Sequence, residues 1–238
     1  MDQQVEKTAA YIGIGDELLA GKTPDTNFVY LAQALRDLGI RLLRGVIIPD
    51  DLDAIREALD LVRHRVTYVF VSGGLGPTHD DVTVAGVAGA LGVRVIRDRI
   101  LEQKLREYFG ESLDKSSLKM ASVPEGALLH FCDRLLIPVL SIENIYLFPG
   151  IPELFRQKLD SIKERFRAAP FCTEEVLCSR FESEIADILL EALDRFPSLK
   201  IGSYPKLDPE GYSVKILLES RDRAIVERAA AYLREALA

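Results

Sequence analysis

Apolar residues in the first part of the chain alternate between short continuous runs and positions spaced by three or four residues. The continuous runs are rich in Val, Ile and Leu and predict buried strands, whereas the spaced positions predict amphipathic helices. The predicted strands cover residues 8–15, 40–48 and 66–71. The predicted helices cover residues 27–38, 52–63 and 82–91. Strands that alternate with helices through short joins favour an α/β fold with a parallel sheet covered on both faces.

The pattern after Gly92 is less regular, and it changes again after Pro170. Between these residues, helices are predicted over 100–109, over 116–121 and from a turn at 149–153 to residue 169, and strands over 135–140 and 144–148. Beyond Pro170 the predicted order is strand, helix, strand, strand and helix, over residues 173–178, 182–195, 200–204, 212–219 and 222–237. Because Pro170 ends a long helix, the expected domains are residues 1–169 and a small α+β domain over residues 170–238.

The composition is that of an ordinary globular protein, with 238 residues of which 48% are hydrophobic and 28% charged. A formal net charge of −7 argues against nucleic-acid binding, which usually needs a basic face. No apolar run approaches the roughly 20 residues of a membrane-spanning helix, and the polar residues 1–7 do not resemble a signal peptide. The three cysteines lack metal-type spacing and indicate reduced thiols. We expect a soluble, cytoplasmic protein that binds neither nucleic acid nor membranes.

A glycine-rich segment over residues 72–83, SGGLGPTHDDVT, follows the strand predicted at 66–71 and leads into a helix near Asp81. Glycines allow backbone N–H groups to approach an anion, and a helix N-terminus adds partial positive charge. The segment also carries Asp80 and Asp81, which would repel a phosphate unless a cation lay between them. The first hypothesis is therefore a nucleotide or pterin phosphate bound together with a divalent metal.

Two further segments carry turn residues directly after predicted strands. They are residues 13–21 (GIGDELLAG), continued by residues 25–27 (DTN), and residues 148–153 (FPGIPE). In a parallel sheet, loops at the carboxyl ends of the strands meet at one edge, which is where ligands bind. We expect these segments to converge there with the glycine-rich segment and with Asp50.

The same residues also have ordinary structural explanations. Asp50 follows a proline turn and suits a helix cap, and Asp80 and Asp81 suit caps of the helix that follows them. The remaining alternatives are solvated loop charges at Asp16 and Glu17 and a strand-to-helix turn at residues 149–152.

Taken together, the strings ELLAG…TN, GGLGPTHDDVT and PGIPE resemble the molybdopterin-binding-like domain of the MoaB and MogA type. They are similar to the branch found in the competence/damage-inducible protein CinA and beside the synthase domain of eukaryotic FAD synthases. The resemblance covers roughly residues 8–169, and residues 182–186 and 201–205 resemble the small domain that follows in these proteins. No deamidase or FAD-synthase nucleotidyltransferase domain follows here, so a stand-alone form is expected.

This resemblance implies a three-layer α/β/α fold and a choice between two chemistries on one P–O–P linkage. Molybdopterin adenylyltransferases join AMP to the pterin phosphate with Mg²⁺, whereas the CinA-type branch is associated with splitting a pyrophosphate such as that of ADP-ribose or FAD. The resemblance assigns to Asp50 and Asp81 a catalytic role as ligands of a divalent metal, Mg²⁺, and as positioners of water or phosphate. The residues it implies for substrate and phosphate binding are Gly15, Glu17, Asn27, Ser72, Gly73, Gly74, Gly76, Thr78, Thr83, Pro149 and Gly150.

Two segments depart from the CinA pattern. Asp25-Thr26-Asn27 stands where the family has Asn-Thr-Asn, and residues 135–139 (LLIPV) occupy the region of a Gly-Thr-Ala-Pro-Gly loop. These departures favour the FAD-synthase-associated branch. The leading hypothesis is a metal-dependent nucleotide pyrophosphatase that hydrolyses ADP-ribose or FAD. The alternatives are molybdopterin binding or adenylylation, and nucleotide binding without catalysis; in each case we expect a nucleotide or pterin phosphate ligand and a homo-oligomer.

Overall fold

A six-stranded sheet organises the first part of the chain in the computed structural model, which describes residues 6–132, 135–206 and 211–237. The chain divides into two units, residues 1–168 and residues 169–238. The strands of the first unit are β1 (Thr8–Ile14), β2 (Arg41–Ile48), β3 (Tyr68–Ser72), β4 (Val95–Arg97), β5 (Ser122–Pro124), β6 (Leu128–His130), β7 (Val139–Ile142) and β8 (Ile145–Phe148). Its helices are α1 (Asp16–Leu19), α2 (Thr26–Asp37), α3 (Leu52–Val62), α4 (Thr83–Leu91), α5 (Arg99–Phe109), α6 (Lys115–Lys119) and α7 (Pro152–Ile162), with 3₁₀ turns at Gly110–Ser112 and Lys163–Phe166.

The sheet of the first unit is mainly parallel. Its strand order is β2-β1-β3-β8-β7-β6. The pairs β2/β1, β1/β3 and β3/β8 are parallel, and the hairpin-linked pairs β8/β7 and β7/β6 are antiparallel. Strands β4 and β5 form a separate antiparallel ribbon. The predicted α/β class with a mainly parallel sheet is therefore confirmed.

Alternation along the central strands separates two hydrophobic cores, one on each face of the sheet. Ala10 and Ile12 of β1 belong to the core that includes buried residues of α3, α4 and α5. The neighbouring residues Ala9 and Tyr11 belong to the other core, which includes buried residues of α2 and α7. Helices therefore cover both faces, which gives the three-layer α/β/α arrangement that the family resemblance implies.

The second unit has its own sheet and its own core. Its elements are β9 (Cys172–Cys178), α8 (Glu182–Arg195), β10 (Lys200–Pro205), β11 (Val214–Ser220) and α9 (Arg223–Ala236). The strands pair antiparallel in the order β10-β11-β9. Along β11, Val214, Ile216 and Leu218 are buried together with residues of both helices. The predicted small α+β region is therefore confirmed.

The structure differs from the sequence pattern mainly between α4 and β8. The strand predicted over residues 135–140 is wrong, because residues 135–138 form no strand and β7 begins at Val139. Pro138 has no N–H group to donate to a sheet ladder, which explains why the apolar run does not extend the strand. The three-residue strands β4, β5 and β6 are too short to show an alternating pattern, so the sequence does not indicate them.

Across the described ranges of the chain, no helix combines the length and the apolar composition that crossing a bilayer requires.

We predict that the protein truncated after Ala168 folds by itself, because both of its cores are built from residues within the first unit. Its thermal unfolding should remain cooperative, and its amide NMR spectrum should be dispersed. A non-cooperative transition with loss of near-ultraviolet circular dichroism would contradict this independence of the two units.

Candidate functional site

A cleft of about 450 Å³ lies at the carboxyl ends of the parallel strands. Four loops contribute to its walls, each directly following one strand: Gly15 after β1, Asp50 after β2, Gly74 after β3 and Gly150 after β8. Open α/β sheets bind ligands at this edge, in the crevice where the strand order reverses, which here lies between β1 and β3. The expected convergence of the loops is thus present in the structure.

The glycine segment turns sharply between β3 and α4, and it needs glycine at two positions. Gly73 has φ 112°, and a Cβ atom on it would lie 2.1 Å from the Ile14 carbonyl oxygen at the end of β1. Gly74 has φ 61°, and a Cβ atom there would lie 2.3 Å from the Thr83 hydroxyl. The backbone of this loop therefore packs directly against its neighbours, in conformations that other residues rarely adopt.

Only part of the glycine segment has backbone N–H groups without an acceptor in the described residues. The Gly73 N–H donates to the Phe148 carbonyl at 3.1 Å, and the Gly76 N–H donates to the Asp81 carboxylate at 2.7 Å. Within the described residues, the N–H groups of Gly74 and Leu75 have no hydrogen-bond acceptor. Of Gly73, Gly74 and Gly76, only Gly74 therefore keeps an N–H group that could bind a ligand. The N–H group of Leu75 is a second candidate.

Asp81 closes the glycine segment by binding its own loop. Its Oδ1 accepts from the Gly76 N–H at 2.7 Å, and its Oδ2 accepts from the Thr78 N–H at 2.8 Å and the Thr78 hydroxyl at 2.5 Å. Helix α4 begins two residues later, with Val82 as its N-cap and no side-chain capping bond. The alternative in which Asp81 caps this helix is therefore wrong. The carboxylate faces the cleft with lone pairs to spare.

Asp50 links the loops that follow β1 and β2. Its Oδ2 accepts from the Asp16 N–H at 3.1 Å. The cap of helix α3 is the next residue, Asp51, which accepts from the backbone N–H groups of Asp53 and Ala54. The cap alternative for Asp50 is therefore also wrong, and its side chain lines the cleft instead.

The charge of Asp50 is held in an unfavourable environment. Burial raises the pKa of the Asp50 carboxyl group, and the carboxylates of Glu17, Asp16 and Asp80 raise it further. The hydrogen bond from the Asp16 N–H acts in the opposite direction. A cation or a proton near Asp50 would relieve this repulsion.

Polar side chains behind the cleft tie three of its loops together. The Asn27 amide donates to the Ser72 hydroxyl at 3.0 Å and to the Gly150 carbonyl at 2.8 Å, and the Ser72 hydroxyl donates to the Pro149 carbonyl at 3.2 Å. Thr83 acts similarly, since its fully buried hydroxyl donates to the Gly73 carbonyl at 2.8 Å. Asn27, Ser72 and Thr83 therefore do not line the cleft themselves, but their hydrogen bonds hold its loops in position.

The predicted site residues thus fall into two groups. Those that line the cleft are Gly15, Glu17, Asp50, Gly73, Gly74, Gly76, Asp81, Pro149 and Gly150. Those that lie behind the lining are Asn27, Ser72, Thr78 and Thr83. The lining residues that sequence reasoning did not select are Ile14, Leu75, Pro77, Asp80, Met120, Ile137, Ile151, Leu154 and Lys158.

Carboxylates supply the oxygen atoms in the cleft wall that suit Mg²⁺ as ligands. No group of three or more His, Cys, Asp or Glu side chains is arranged to hold a metal within the part of the chain that the structure describes. Carboxylates of Glu17, Asp50, Asp80 and Asp81 nevertheless share the cleft walls. Mg²⁺ usually takes one or two protein carboxylates and completes its octahedron with waters and substrate phosphates. A Mg²⁺ ion in this cleft would therefore need waters or phosphate oxygens in addition to these carboxylates.

The fold and the cleft define an α/β protein whose cleft lies at the carboxyl ends of its parallel strands. The chain belongs to the family described as "Probable molybdopterin binding domain", whose model matches residues 10–168. Residues 170–238 match a second model, "FAD synthase, middle domain".

Relatives that match more than nine tenths of this chain occur in several kinds of organism. An Archaeoglobus fulgidus protein is 32% identical over 228 residues, which cover 95% of this chain and 96% of that protein. A "Probable FAD synthase" of Caenorhabditis elegans is 29% identical over 98% of this chain, and a "CinA-like protein" of Frankia casuarinae is 30% identical over 92% of it. This chain spans only 50% and 55% of the length of these last two relatives.

A solved structure supports the fold of the first unit. The protein CinA from Thermoplasma acidophilum, described as having unknown function, is 30% identical, with a TM-score of 0.63. The match covers 68% of this chain and 98% of that chain. The resemblance to the CinA and FAD-synthase branch is therefore confirmed.

We predict that Gly73→Ala lowers the free energy of unfolding by about 2–4 kcal/mol, because the added methyl group meets the Ile14 carbonyl in a strained backbone conformation. Gly89→Ala is the matched control, since Gly89 lies in α4 with open space around its Cβ position, and it should stabilise the protein by about 0.5–1 kcal/mol. Urea unfolding of both variants measures the difference. Equal effects of the two substitutions would contradict the packing described for the glycine segment.

We predict that Asp50→Asn raises the melting temperature of the ligand-free protein at pH 7 by about 1–3 °C. A carboxyl group whose pKa is raised on folding favours the folded state most at low pH and loses that contribution as the pH rises, so removing its charge stabilises the neutral-pH protein. The gain should disappear below about pH 4, where the carboxyl group is protonated in both states. Asp51→Asn is the control: asparagine preserves the helix cap, so no gain is expected. A lower melting temperature for Asp50→Asn would show that its charge is not destabilising.

Proposed function

We propose that the protein is a Mg²⁺-dependent nucleotide pyrophosphatase that hydrolyses the diphosphate of ADP-ribose or FAD. The observation that carries this proposal is the placement of Asp50 and Asp81, from different loops, on the walls of one cleft beside the N–H groups of Gly74 and Leu75. N–H groups suit phosphate oxygens, whereas carboxylates suit a metal. A ligand that contains both a diphosphate and a divalent cation satisfies both kinds of group.

Each residue has a defined part in the proposed hydrolysis. Asp50 and Asp81 would hold Mg²⁺, which when bound supplies positive charge to the phosphate oxygens. The N–H groups of Gly74 and Leu75 bind nonbridging oxygens and orient the reacting phosphate. Asp50 also orients the attacking water and accepts its proton. A bond forms between the water oxygen and phosphorus, the bridging P–O bond breaks, and ADP-ribose yields AMP and ribose 5-phosphate.

The geometry suits this reaction because phosphoryl transfer depends mainly on positioning and on neutralising charge. Asn27, Ser72 and Thr83 fix the relative positions of the three loops by hydrogen bonds. The groups that touch substrate therefore need little rearrangement when it binds, which reduces the entropic cost of reaching the reactive geometry.

A second candidate function is the binding or adenylylation of molybdopterin. A pocket of about 120 Å³ adjoins the cleft at Gly74–Gly76 and has mostly apolar walls. These walls include Val84, Ala85, Met120 and Leu140. A flat heteroaromatic ring suits such a pocket, and a pterin satisfies this requirement as well as an adenine does. Loss of molybdoenzyme activity after deletion of the gene would favour this function, and normal molybdoenzymes would count against it.

The purified protein should release AMP from ADP-ribose or FAD when Mg²⁺ is added, and Asp50→Asn should reduce kcat by at least about 100-fold. Asp50→Asn is the sharper variant because an amide oxygen can still accept the Asp16 N–H, so the loops stay linked. Asp81→Asn should also abolish turnover, but it disturbs the hydrogen bonds within the glycine segment. Chromatographic detection of AMP measures the rate.

Asp51→Asn serves as the control in the same loop and should retain the wild-type rate, since its side chain caps α3 outside the cleft. Failure to cleave either dinucleotide across a panel of Mg²⁺, Mn²⁺ and Co²⁺ would reject the pyrophosphatase assignment. Binding of ADP-ribose in isothermal titration calorimetry, without turnover, would indicate a nucleotide-binding protein that is not an enzyme.

A further inference from the structure

We propose that Lys158 forms a second anion subsite in the cleft, which binds the phosphate group of a diphosphate that is not under attack. This inference rests on the proposed function and extends it, because it makes the cleft selective for diphosphates over monophosphates.

Lys158 lies on the buried face of helix α7. It shares this face with Phe155, Leu159 and Ile162, which belong to the core. Its side chain is only 4% exposed, yet it lines the cleft. Lys158 is therefore packed like a core residue and at the same time belongs to the wall of the cleft.

The ammonium group of Lys158 has little compensation for its burial. Its Nζ donates one hydrogen bond, at 3.2 Å, to the uncharged Pro138 carbonyl. In the described ranges of the chain it has no other hydrogen bond and forms no ion pair. A buried ammonium has three donors and normally requires an anionic partner. Two donors remain for a ligand that enters the cleft.

The titration behaviour of Lys158 agrees with this geometry. Burial lowers the pKa of its ammonium group to about 8, and the electrostatic interaction with Cys132 acts in the opposite direction. The carboxylates of the cleft, on Glu17, Asp50, Asp80 and Asp81, lie along the same walls without lifting this pKa. A bound phosphate at Lys158 would raise the pKa, because it stabilises the charged form directly.

The position of Lys158 suits the second phosphate of a diphosphate. The glycine segment, Asp50 and Asp81 serve one phosphate, and they carry net negative charge without a metal. Lys158 comes from a different element, α7, whose N-terminal residues Ile151 and Leu154 also line the cleft. A diphosphate spans both subsites, whereas the single phosphate of AMP occupies only one.

The most direct test observes Lys158 itself. The lysine side chains of the full chain are labelled with ¹³C, Lys158→Arg identifies the Lys158 resonance, and the pKa is measured with and without inorganic diphosphate. We expect diphosphate to raise the Lys158 pKa by at least about one unit. An unchanged pKa at concentrations that saturate other resonances, or no binding of diphosphate at all, would overturn the proposal.

A second test separates this subsite from the catalytic assignment. Lys158→Met, which keeps the volume of the stem, should raise KM for ADP-ribose at least about 10-fold and should change the affinity for AMP by less than about 2-fold. Lys158→Arg should restore most of the affinity, and above pH 9 it should bind ADP-ribose more tightly than the wild type, whose lysine is then largely neutral. Lys163→Met is the control directly after the same helix, because Lys163 pairs with Asp160 outside the cleft.

The outcomes distinguish the two proposals. Normal KM and affinity in Lys158→Met, together with wild-type cleavage, would reject the lysine subsite and leave the pyrophosphatase assignment standing. A diphosphate-induced rise of the Lys158 pKa without cleavage of any dinucleotide would reject the enzyme and retain the subsite.

Discussion

The close approach of the Gly73 backbone to the end of β1 is the constraint on which the site depends. A Cβ atom at this position would lie 2.1 Å from the Ile14 carbonyl oxygen, so the loop can fold here only because the side chain is absent. This contact places the glycine segment at the strand ends, where Gly74 and Leu75 line the cleft and their N–H groups have no acceptor within the described residues. Hydrogen bonds from Asn27, Ser72 and Thr83 then fix the neighbouring loops to the same framework.

Electrostatics give this framework its chemical character. Four carboxylates and the buried residue Lys158 line a single cleft. Burial raises the pKa of Asp50 and lowers the pKa of Lys158, so the charged form of each group is destabilised. These shifts have opposite signs but the same main cause, which is burial of a charge without an oppositely charged partner. A ligand that carries phosphate groups and a divalent cation supplies both missing partners. The electrostatic cost of these buried charges is therefore the physical basis of the proposed specificity.

Much of the architecture could be predicted from the sequence, because the strands β1, β2 and β3 are continuous apolar runs and the helices between them show clear periodicity. The glycine segment and Asp50 could be predicted as site residues for the same reason, since they directly follow β3 and β2. The hydrogen-bond partners of Asn27 and Thr83 could not be predicted, because they depend on three-dimensional positions more than on the spacing of residues along the chain. Lys158 did leave a signal: it occupies an apolar position in the pattern of Phe155, Leu159 and Ile162. A lysine at such a position indicates a buried charge, and proteins almost never bury a lysine fully unless it is paired.

A crystal structure of the protein with AMP and Mg²⁺ is the decisive experiment for this cleft. We expect a metal ion bonded to the Asp50 or Asp81 carboxylate and to a phosphate oxygen, with that phosphate accepting hydrogen bonds from the N–H groups of Gly74 and Leu75. A phosphate bound elsewhere on the molecule, or bound at the glycine segment with no cation between it and the carboxylates, would refute metal-bridged phosphate binding at this site.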